Sequence, residues 1–121
     1  MQQVVPALRV RSYKASKVFY EKLGFQEEWK HQFAAGLPVF ASISCAGMMI
    51  FLTEHKGDCQ FGGLVHFYIK NVDEYFAQLQ NKGVHVHEPP TNSIPGIRDM
   101  LVIDPDGNRL SFLTHTTNSP T

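Results

Sequence analysis

The sequence has no excess of charge of either sign. Its 121 residues include 11 Lys or Arg and 11 Asp or Glu, which gives a formal net charge of zero. Proteins that bind nucleic acid or anionic lipid through electrostatics concentrate basic residues on one face or in one segment. The balanced charge disfavours a polyanionic partner, so we expect neither a nucleic acid nor a membrane as partner.

Long apolar runs and closely spaced cysteines are also missing. No stretch approaches the ~18 apolar residues of a membrane span, and the N-terminus lacks the basic and apolar regions of a secretory signal. Cys45 and Cys59 form no CxxC motif, and two cysteines in a chain without a signal are more often free thiols than a disulfide. These features predict a soluble, cytoplasmic protein with free thiols.

The sequence does contain a repeated pattern of helix signals. Ser12 and Gly24 delimit a helical pattern as N-cap and terminator, and Asn71 and Gly83 delimit a second one 59 residues later. A fixed offset of this kind is typical of an internal duplication. We therefore predict two modules of similar structure.

Strand-like runs surround both helices, so that each half has the order βαβββ. The predicted strands are residues 4–11, 25–33, 39–44 and 48–53 in the first half and 65–70, 85–87, 100–103 and 109–114 in the second. The predicted organisation is a single domain over 1–121, with module 1 at about 1–54, a linker at 55–63, module 2 at about 64–115 and a polar tail at 116–121. Residues 88–96, with three prolines, are predicted as the longest loop.

Two sequence motifs add a resemblance to this pattern. Val-Phe-Tyr-Glu-Lys-Leu-Gly-Phe at 18–25 and Asp-Pro-Asp-Gly-Asn at 104–108 resemble the vicinal-oxygen-chelate superfamily, which includes glyoxalases, bleomycin-resistance proteins and dioxygenases. Residues 6–10 and Gly-Ile-Arg-Asp at 96–99 are most similar to the bleomycin-resistance branch. The resemblance implies an α+β fold of two βαβββ modules, in which half-barrel sheets carry the helices on their convex side. It also implies a homodimer.

The same resemblance allows the metal-ligand positions to be examined. Catalytic members place His or Glu on the first and last strand of each module, because a divalent ion needs about four to six converging ligands. Those positions hold Val5, Phe51, Leu64 and Ser111 in this sequence. We therefore predict no metal and no cofactor. No nucleophile or paired carboxylate stands out, so no catalytic residue is assigned.

The six histidines have alternative interpretations. His66 shares strand parity with Leu64 and Tyr68, so it is either a hydrogen-bonding group that contacts a ligand or a satisfied interior histidine. His115 is expected at the surface. The remaining histidines are predicted as solvent-exposed, loop or edge residues: His31, His55, His85 and His87.

Strand parity also predicts which side chains line the concave faces of the sheets. In the first half these are Phe40, Ser42, Met49 and Phe51, and in the second half His66, Tyr68, Arg98, Arg109 and Ser111, with Met100 and Val102 beside them. Trp29 and Phe33 lie on a strand of unsettled orientation, where they either stack on a planar ligand or close a dimer. The alternative for the whole set is that these side chains fill the interior.

The resulting hypothesis is a small-molecule binding protein without metal. It sequesters an aromatic drug or metabolite, as in bleomycin-type antibiotic resistance, and needs no chemistry to do so. The alternatives are a metal-dependent lyase, isomerase or dioxygenase, metal-free acid-base catalysis by His66 or Tyr68, and a member of the fold with an unrelated ligand. The balanced charge favours the last, because cationic glycopeptides call for an acidic groove.

Overall fold

The computed structural model describes residues 3–116, which form two helices and eight strands. The elements in chain order are β1 (Ala7–Arg9), α1 (Tyr13–Lys22), β2 (Gln26–Gln32), β3 (Val39–Cys45), β4 (Met48–Thr53), β5 (Leu64–Tyr68), α2 (Val72–Asn81), β6 (Glu88–Ile94), β7 (Ile97–Ile103) and β8 (Arg109–His115). The strands form two mixed sheets with the orders β1-β4-β3-β2 and β5-β8-β7-β6. Neither sheet closes into a barrel within the described residues. The predicted α+β fold with two βαβββ modules is confirmed.

The chain divides into two compact units. The first unit ends at Gly63 and also includes Asp104–Asn108, and the second contains Leu64–Ile103 and continues from Arg109. Both units have the same order of elements, and their strand registers correspond. Ala7 of β1 pairs with Phe51 of β4. His66, which lies 59 residues after Ala7, pairs in the same way with Ser111 of β8. The matching registers support the internal duplication predicted from the helix signals.

Local signals fix the ends of both helices. The side chain of Ser12 accepts a hydrogen bond from the backbone N–H of Ala15 at 3.2 Å, and Asn71 caps α2 in the same way. Each helix is followed by a glycine with positive φ, Gly24 at 103° and Gly83 at 76°, a conformation that side chains with a Cβ rarely adopt. Both predicted N-caps and both predicted terminators are confirmed.

Each sheet buries one face against the helix of its own unit. In the first unit the most buried apolar side chains of the sheet, of α1 and of the residues directly after β1 and α1 are no more than 1% exposed, and they are Val10, Tyr20, Leu23, Ala41, Ile43, Ile50 and Leu52. In the second unit Phe112 of β8 packs edge-on against Tyr75 of α2, with 5.0 Å between ring centroids. Burial of one such large apolar side chain contributes about 1.5–3 kcal/mol. The face of each sheet away from its helix is called the open face below.

The proline-rich segment forms a strand and not a loop. Residues 88–96 were expected to be the longest loop and His85-Val86-His87 a strand, but β6 spans Glu88–Ile94 and the residues before it are irregular. Proline lacks an N–H and is tolerated in a sheet only where no ladder hydrogen bond is required, as on an edge strand. β6 is the edge strand of its sheet and its register to β7 is interrupted twice, which accommodates Pro89 and Pro90.

The turn at 104–108 is a buried hydrogen-bonding centre of the first unit. The carboxylate of Asp104 accepts a hydrogen bond from the hydroxyl of Tyr20 at 2.7 Å and from both nitrogens of Asn108 at 2.9 Å. Burial and the neighbouring carboxylate raise the pKa of Tyr20 well above its ordinary value. Asn108 in turn accepts from the N–H of Gly63 at 2.9 Å, so the turn ties down the end of the segment 55–63.

The remaining expectations concern the thiols, the tail and membrane segments. Neither Cys45 nor Cys59 forms a disulfide bond within the described residues, as predicted. The predicted polar tail falls, except for Thr116, outside the described residues. Neither helix of the described part of the chain has the length and apolar character of a membrane-spanning segment.

Candidate ligand-binding face

The open face of the first sheet carries a row of aromatic side chains. Ser42 of β3 pairs with Trp29 of β2 on one side and with Phe51 of β4 on the other, so the three side chains lie side by side. Phe40 stands on the same face, one strand position from Ser42. Three of the predicted site residues, Phe40, Ser42 and Phe51, are therefore brought together with Trp29.

A β-bulge sets the orientation of Trp29. Glu27 pairs with Ile43 on the helix side of the sheet, and the register then shifts so that Trp29 pairs with Ser42. The extra residue, Glu28, reverses the alternation of the strand. Without the bulge Trp29 would have the parity of Glu27 and would face the helix, which is why strict alternation in the sequence left its orientation open.

The three rings form a mutual cluster. The ring centroid of Trp29 lies 5.8 Å from that of Phe40 and 5.6 Å from that of Phe51, and the two phenylalanine centroids are 5.1 Å apart. The rings are tilted with respect to one another, an arrangement that aromatic pairs prefer over a face-to-face sandwich. The indole remains 44% exposed, although it has two aromatic neighbours. The cluster thus presents a ring surface to whatever covers this face.

A buried hydroxyl lies in the centre of this cluster. Ser42 has no exposed surface, and its Oγ has no hydrogen-bond partner among the described residues. A buried hydroxyl without a partner costs about 1–3 kcal/mol. The neighbouring Ser44, on the same strand and face, differs because its hydroxyl donates to the carboxylate of Glu28. Ser42 is therefore an unused polar group between two aromatic rings.

The aromatic row continues to the end of β2. His31 pairs with Phe40, and its ring stands edge-on to that of Phe33 with 4.6 Å between centroids. Phe33 follows the strand and is 77% exposed. Met49 pairs with Ser44 at the opposite end of the face and is half-buried. The predicted residues of the first unit all lie on or next to this one face.

The open face of the second sheet is more polar. His66 of β5 pairs with Ser111 of β8, and Tyr68 and Arg109 lie on the same face by parity. The rings of Tyr68 and His115 stack with 4.9 Å between centroids and 10° between planes. His66 and Tyr68 are exposed, whereas Ser111 is 6% exposed. His66, Tyr68, Arg109 and Ser111 therefore share a face as predicted, and His115 is at the surface as predicted.

The predicted position of Arg98 on this face is wrong. Met100 pairs with Phe112, and Arg98 with Thr114, which places both on the helix side of the sheet. Val102 pairs with Leu110 and faces the same way. The prediction assumed that residues of β7 lie 60 positions after their counterparts in the first module, whereas they lie 59 positions after them.

The physical reason is the length of the turn that precedes β8. Ser42 corresponds to Leu101 at an offset of 59, whereas Phe51 corresponds to Ser111 at an offset of 60. Two residues separate β3 from β4, whereas five separate β7 from β8, and this odd difference reverses the alternation of β7 relative to β8.

Arg98 is engaged by an acidic partner on α2. Its Nε and Nη2 donate to the carboxylate of Asp73 at 2.7 and 2.9 Å, a two-point contact that guanidinium and carboxylate groups favour. This pairing lowers the pKa of Asp73, since the hydrogen bonds from Arg98 stabilise the charged carboxylate. Arg98 thus joins the first turn of α2 to the sheet within the second unit.

The amino-acid sequence matches the family model of glyoxalase superfamily proteins over residues 1–119, nearly the whole chain. The chain belongs to the glyoxalase superfamily. No curated protein has a matching sequence.

Solved structures agree with this assignment at the level of the fold. A bleomycin-binding protein complexed with bleomycin is 21% identical, with 96% of this chain and 100% of that chain covered and a TM-score of 0.77. A bleomycin resistance determinant encoded on the transposon Tn5 is 21% identical, with 95% and 98% covered and a TM-score of 0.77. TioX from Micromonospora sp. ML1 is 18% identical, with 96% and 98% covered and a TM-score of 0.73. These similarities concern the fold, which all these proteins share with this glyoxalase superfamily member.

The metal-ligand positions of the superfamily do not fit a divalent ion in this chain. Phe51, at the position on β4, has its ring packed in the aromatic cluster, and Val5 and Leu64 are apolar. Ser111 supplies a hydroxyl, which is a weak ligand for Zn²⁺ or Fe²⁺ compared with imidazole or carboxylate. Within residues 3–116 no three His, Cys, Asp or Glu side chains are grouped as a metal would require.

The carboxylate that follows β4 is also engaged elsewhere. Glu54, which follows β4, accepts hydrogen bonds from the backbone N–H groups of Tyr13 at 2.7 Å and Val39 at 2.8 Å. Both carboxylate oxygens are therefore used to join α1 to β3.

Proposed function

We propose that this glyoxalase superfamily member is a metal-free binding protein that sequesters a flat aromatic drug or metabolite on the open face of its first sheet. A bleomycin-type antibiotic is the first candidate ligand. The observation that carries the proposal is the cluster of Trp29, Phe40 and Phe51, because a partly exposed indole supported by two further rings is suited to stacking on a planar group. Sequestration requires affinity alone, so no catalytic residue is needed.

The polar groups around the cluster support a ligand more than a purely structural role. A packed interior rarely leaves a hydroxyl without a partner, yet Ser42 Oγ has none within the described chain. A ligand that displaces the indole of Trp29 slightly can offer this hydroxyl a hydrogen-bonding group. Binding sites typically combine apolar walls with a few polar groups of this kind.

Bleomycin is a candidate ligand because two of the similar structures are bleomycin-related proteins. Other planar ligands can be compared with it in the same titration. Both structures are only 21% identical to this chain, and the balanced charge of 11 basic and 11 acidic residues provides no general attraction for a cationic glycopeptide. A planar metabolite that is neutral would satisfy the aromatic cluster equally well.

The main rival is a metal-dependent lyase, isomerase or dioxygenase. The side chains of Val5, Phe51 and Leu64 argue against it, because they offer no ligand atoms. Metal-free acid-base catalysis by His66 or Tyr68 is a second rival. Both side chains are exposed, which leaves a catalytic acid or base in contact with bulk water, and the neighbouring hydroxyl of Ser111 is buried.

A homodimer in the cytoplasm is part of the proposal. Phe33 at 77%, Leu64 at 46% and Ile94 at 57% exposed leave apolar surface on the isolated chain that a second copy would cover. Sedimentation equilibrium of the purified protein gives the mass directly. A monomer at concentrations where ligand binds would contradict this part of the proposal and leave the aromatic face unaffected.

The test of the binding proposal uses Trp29 as an intrinsic probe, since it is the only tryptophan of the chain. Copper-free bleomycin, copper-loaded bleomycin and other planar antibiotics are titrated while indole fluorescence is followed. A stacking ligand quenches the signal and raises the melting temperature. A ligand present at 100 times its Kd stabilises the folded protein by about 2.7 kcal/mol.

Two variants separate stacking from general effects on the protein. Trp29→Leu is expected to abolish the ligand-dependent rise in melting temperature. Phe19→Leu is the matched control, because Phe19 is an aromatic residue of α1 that packs edge-on to Tyr20 and so lies away from the open face. Equal loss of binding in both variants, or stabilisation that persists in Trp29→Leu, would contradict the proposed face.

Elemental analysis of the purified protein decides between the proposal and its main rival. We expect no stoichiometric metal, and no gain in melting temperature with Zn²⁺, Ni²⁺, Fe²⁺ or Mn²⁺. One metal ion per chain, retained through purification, would show that the assignment of the ligand positions is wrong and would favour an enzyme.

A further inference from the structure

A second concavity lies on the opposite side of the first sheet from the aromatic cluster. It is an open groove of about 630 Å³ between α1 and β2, closed at one end by the loop that contains Gly36 and Leu37. Volumes of this size are typical of small-molecule sites. β2 is the edge strand and is exposed along its length, whereas β3 and β4 bury most of their side chains, so the groove lies at the edge of the sheet.

The groove is lined by an excess of unpaired positive charge. Lys14 on α1 and Lys30 on β2 both line it, and neither forms an ion pair within residues 3–116. The third lysine, Lys17, is 4.0 Å from Glu21 one helical turn later. Because the chain as a whole has equal numbers of acidic and basic residues, this local excess is not part of a general basic character.

The acidic side chains of the groove do not neutralise these two lysines. Glu54 uses one carboxylate oxygen for the N–H of Tyr13 and the other for the N–H of Val39. Glu21 is the partner of Lys17. The groove therefore has two cations free to bind an anion, and one of them stands in the first turn of α1, where the helix dipole also favours negative charge.

Apolar side chains complete the groove. Val18 and Leu37 line it and are 56% and 46% exposed, while Val39 and the ring of Tyr13 are buried beneath. A ligand with an apolar body would cover Val18 and Leu37 and place its charged end between the lysines. A free inorganic anion would use only the charges and would leave these apolar side chains in water.

We propose that the groove between α1 and β2 binds a small organic anion, a carboxylate or phosphate monoester on a compact apolar body, with Lys14 and Lys30 as the groups that hold its charge. This site is separate from the aromatic face, because Lys30 and Trp29 are consecutive residues of β2 whose side chains point to opposite faces of the sheet. The proposal does not depend on drug sequestration.

The test is a titration of the ¹⁵N-labelled full-length protein followed by amide chemical shifts. The probes are phenyl phosphate, benzoate and the neutral benzamide, all of similar size. Saturable shifts are expected for amides of residues 12–18 and 30–37 with the two anions and not with benzamide. Tighter binding of phenyl phosphate than of benzoate would identify a phosphate ligand, and the reverse order a carboxylate.

Charge-matched variants test the role of the two lysines. The double variant Lys14→Gln and Lys30→Gln is expected to weaken binding of the better anion at least about fivefold, as two weak surface charge contacts together would. The single variants Lys14→Gln and Lys30→Gln are compared with Lys22→Gln, which removes the same single charge from the last turn of α1, outside the groove, and is expected to bind as wild type. All three lysines are exposed, in whole or in large part, so folding is preserved.

Four results would overturn the proposal. These are the absence of saturable shifts with either anion, equal binding of benzamide, unchanged affinity in the double lysine variant, and loss of anion binding in Trp29→Phe. Trp29→Phe should leave anion binding intact, and a Trp29→Phe variant that lost it would place the anion on the aromatic face instead.

Discussion

Replacing Ser42 with alanine should make the protein more stable, although the residue is completely buried in the sheet. The hydroxyl of Ser42 has no partner within the described residues, so its removal relieves a desolvation cost of about 1–3 kcal/mol. Part of this gain is lost because one oxygen atom no longer contacts the neighbouring rings of Trp29 and Phe51. The expected net effect is an increase in the free energy of unfolding of about 1 kcal/mol.

Urea unfolding followed by circular dichroism measures this difference. The midpoint should rise while the slope with denaturant stays constant, because the surface exposed on unfolding is unchanged. Ser44→Ala is the matched control, since Ser44 lies two residues along the same strand and its hydroxyl donates to Glu28. It should lower the free energy of unfolding by about 0.5–1.5 kcal/mol.

The two serine variants are expected to shift the urea midpoint in opposite directions. If Ser42→Ala unfolds at lower urea than wild type, as Ser44→Ala should, then the hydroxyl of Ser42 does have a partner in the folded protein. In that case it could not serve as a free hydrogen-bonding group for a ligand, and the argument from polar groups around the aromatic cluster would fail.

Three further substitutions test single contacts of the structure. Tyr20→Phe removes the hydrogen bond to Asp104 and should lower the free energy of unfolding, measured in urea, by about 1.5–3 kcal/mol. Because the pKa of Tyr20 is raised in the folded protein, wild type should lose stability as the pH rises above ~10. The variant, which has no hydroxyl to ionise at this position, should lose less. Asp73→Asn should lower the melting temperature slightly at neutral pH and leave it unchanged near pH 2. The pKa of Asp73 is lowered by Arg98, so this pair stabilises the fold only while the carboxyl is ionised. The stabilisation is fully present above the pKa of an unfolded Asp, about 3.9, and is lost as the pH falls below it. Gly63→Ala should cost about 1–3 kcal/mol by calorimetry, since the new Cβ would lie 2.8 Å from Cδ2 of the buried Leu8. A neutral result would show that the Leu8 side chain can move aside.

The parts of the fold that local chemistry controls could be predicted from the sequence. Ser12 and Asn71 cap their helices through side-chain oxygens, and Gly24 and Gly83 end them through positive φ, all within a few residues of the element concerned. The duplication follows from the same signals. Such features do not depend on distant parts of the chain, which is why a single sequence suffices to find them.

The strand β6 could not be predicted from local signals. Proline normally interrupts a strand, and whether Pro89 and Pro90 are tolerated depends on the position of the strand in the sheet. That position at the edge is decided by how β7 and β8 pair, in a part of the chain that follows later. Only the tertiary arrangement therefore distinguishes this strand from a loop.

The face of the sheet on which each side chain lies could be predicted next to the short turn at 46–47 but not next to the longer turn at 104–108. The turn of Ala46 and Gly47 joins β3 and β4 directly, so parity counted from it placed Ser42 and Phe51 on one face, as the structure has them. The longer turn at 104–108 changes the spacing between corresponding positions of the two modules by one residue, so the prediction placed Arg98 on the wrong face of the sheet. Side-chain period two makes every such shift a complete reversal.

The duplication also explains why the aromatic face occurs once. By register, the position of Trp29 in the first sheet corresponds to Glu88 in the second, and the position of Phe51 corresponds to Ser111. The two sheets have the same backbone arrangement, but the second carries a carboxylate and a hydroxyl where the first carries an indole and a phenyl ring. The second sheet therefore lacks rings at these two positions, and its rings Tyr68 and His115 stack on each other instead. A loss of aromatic binding in Trp29→Leu should accordingly be complete, whereas two equivalent sites would leave about half of the binding capacity behind.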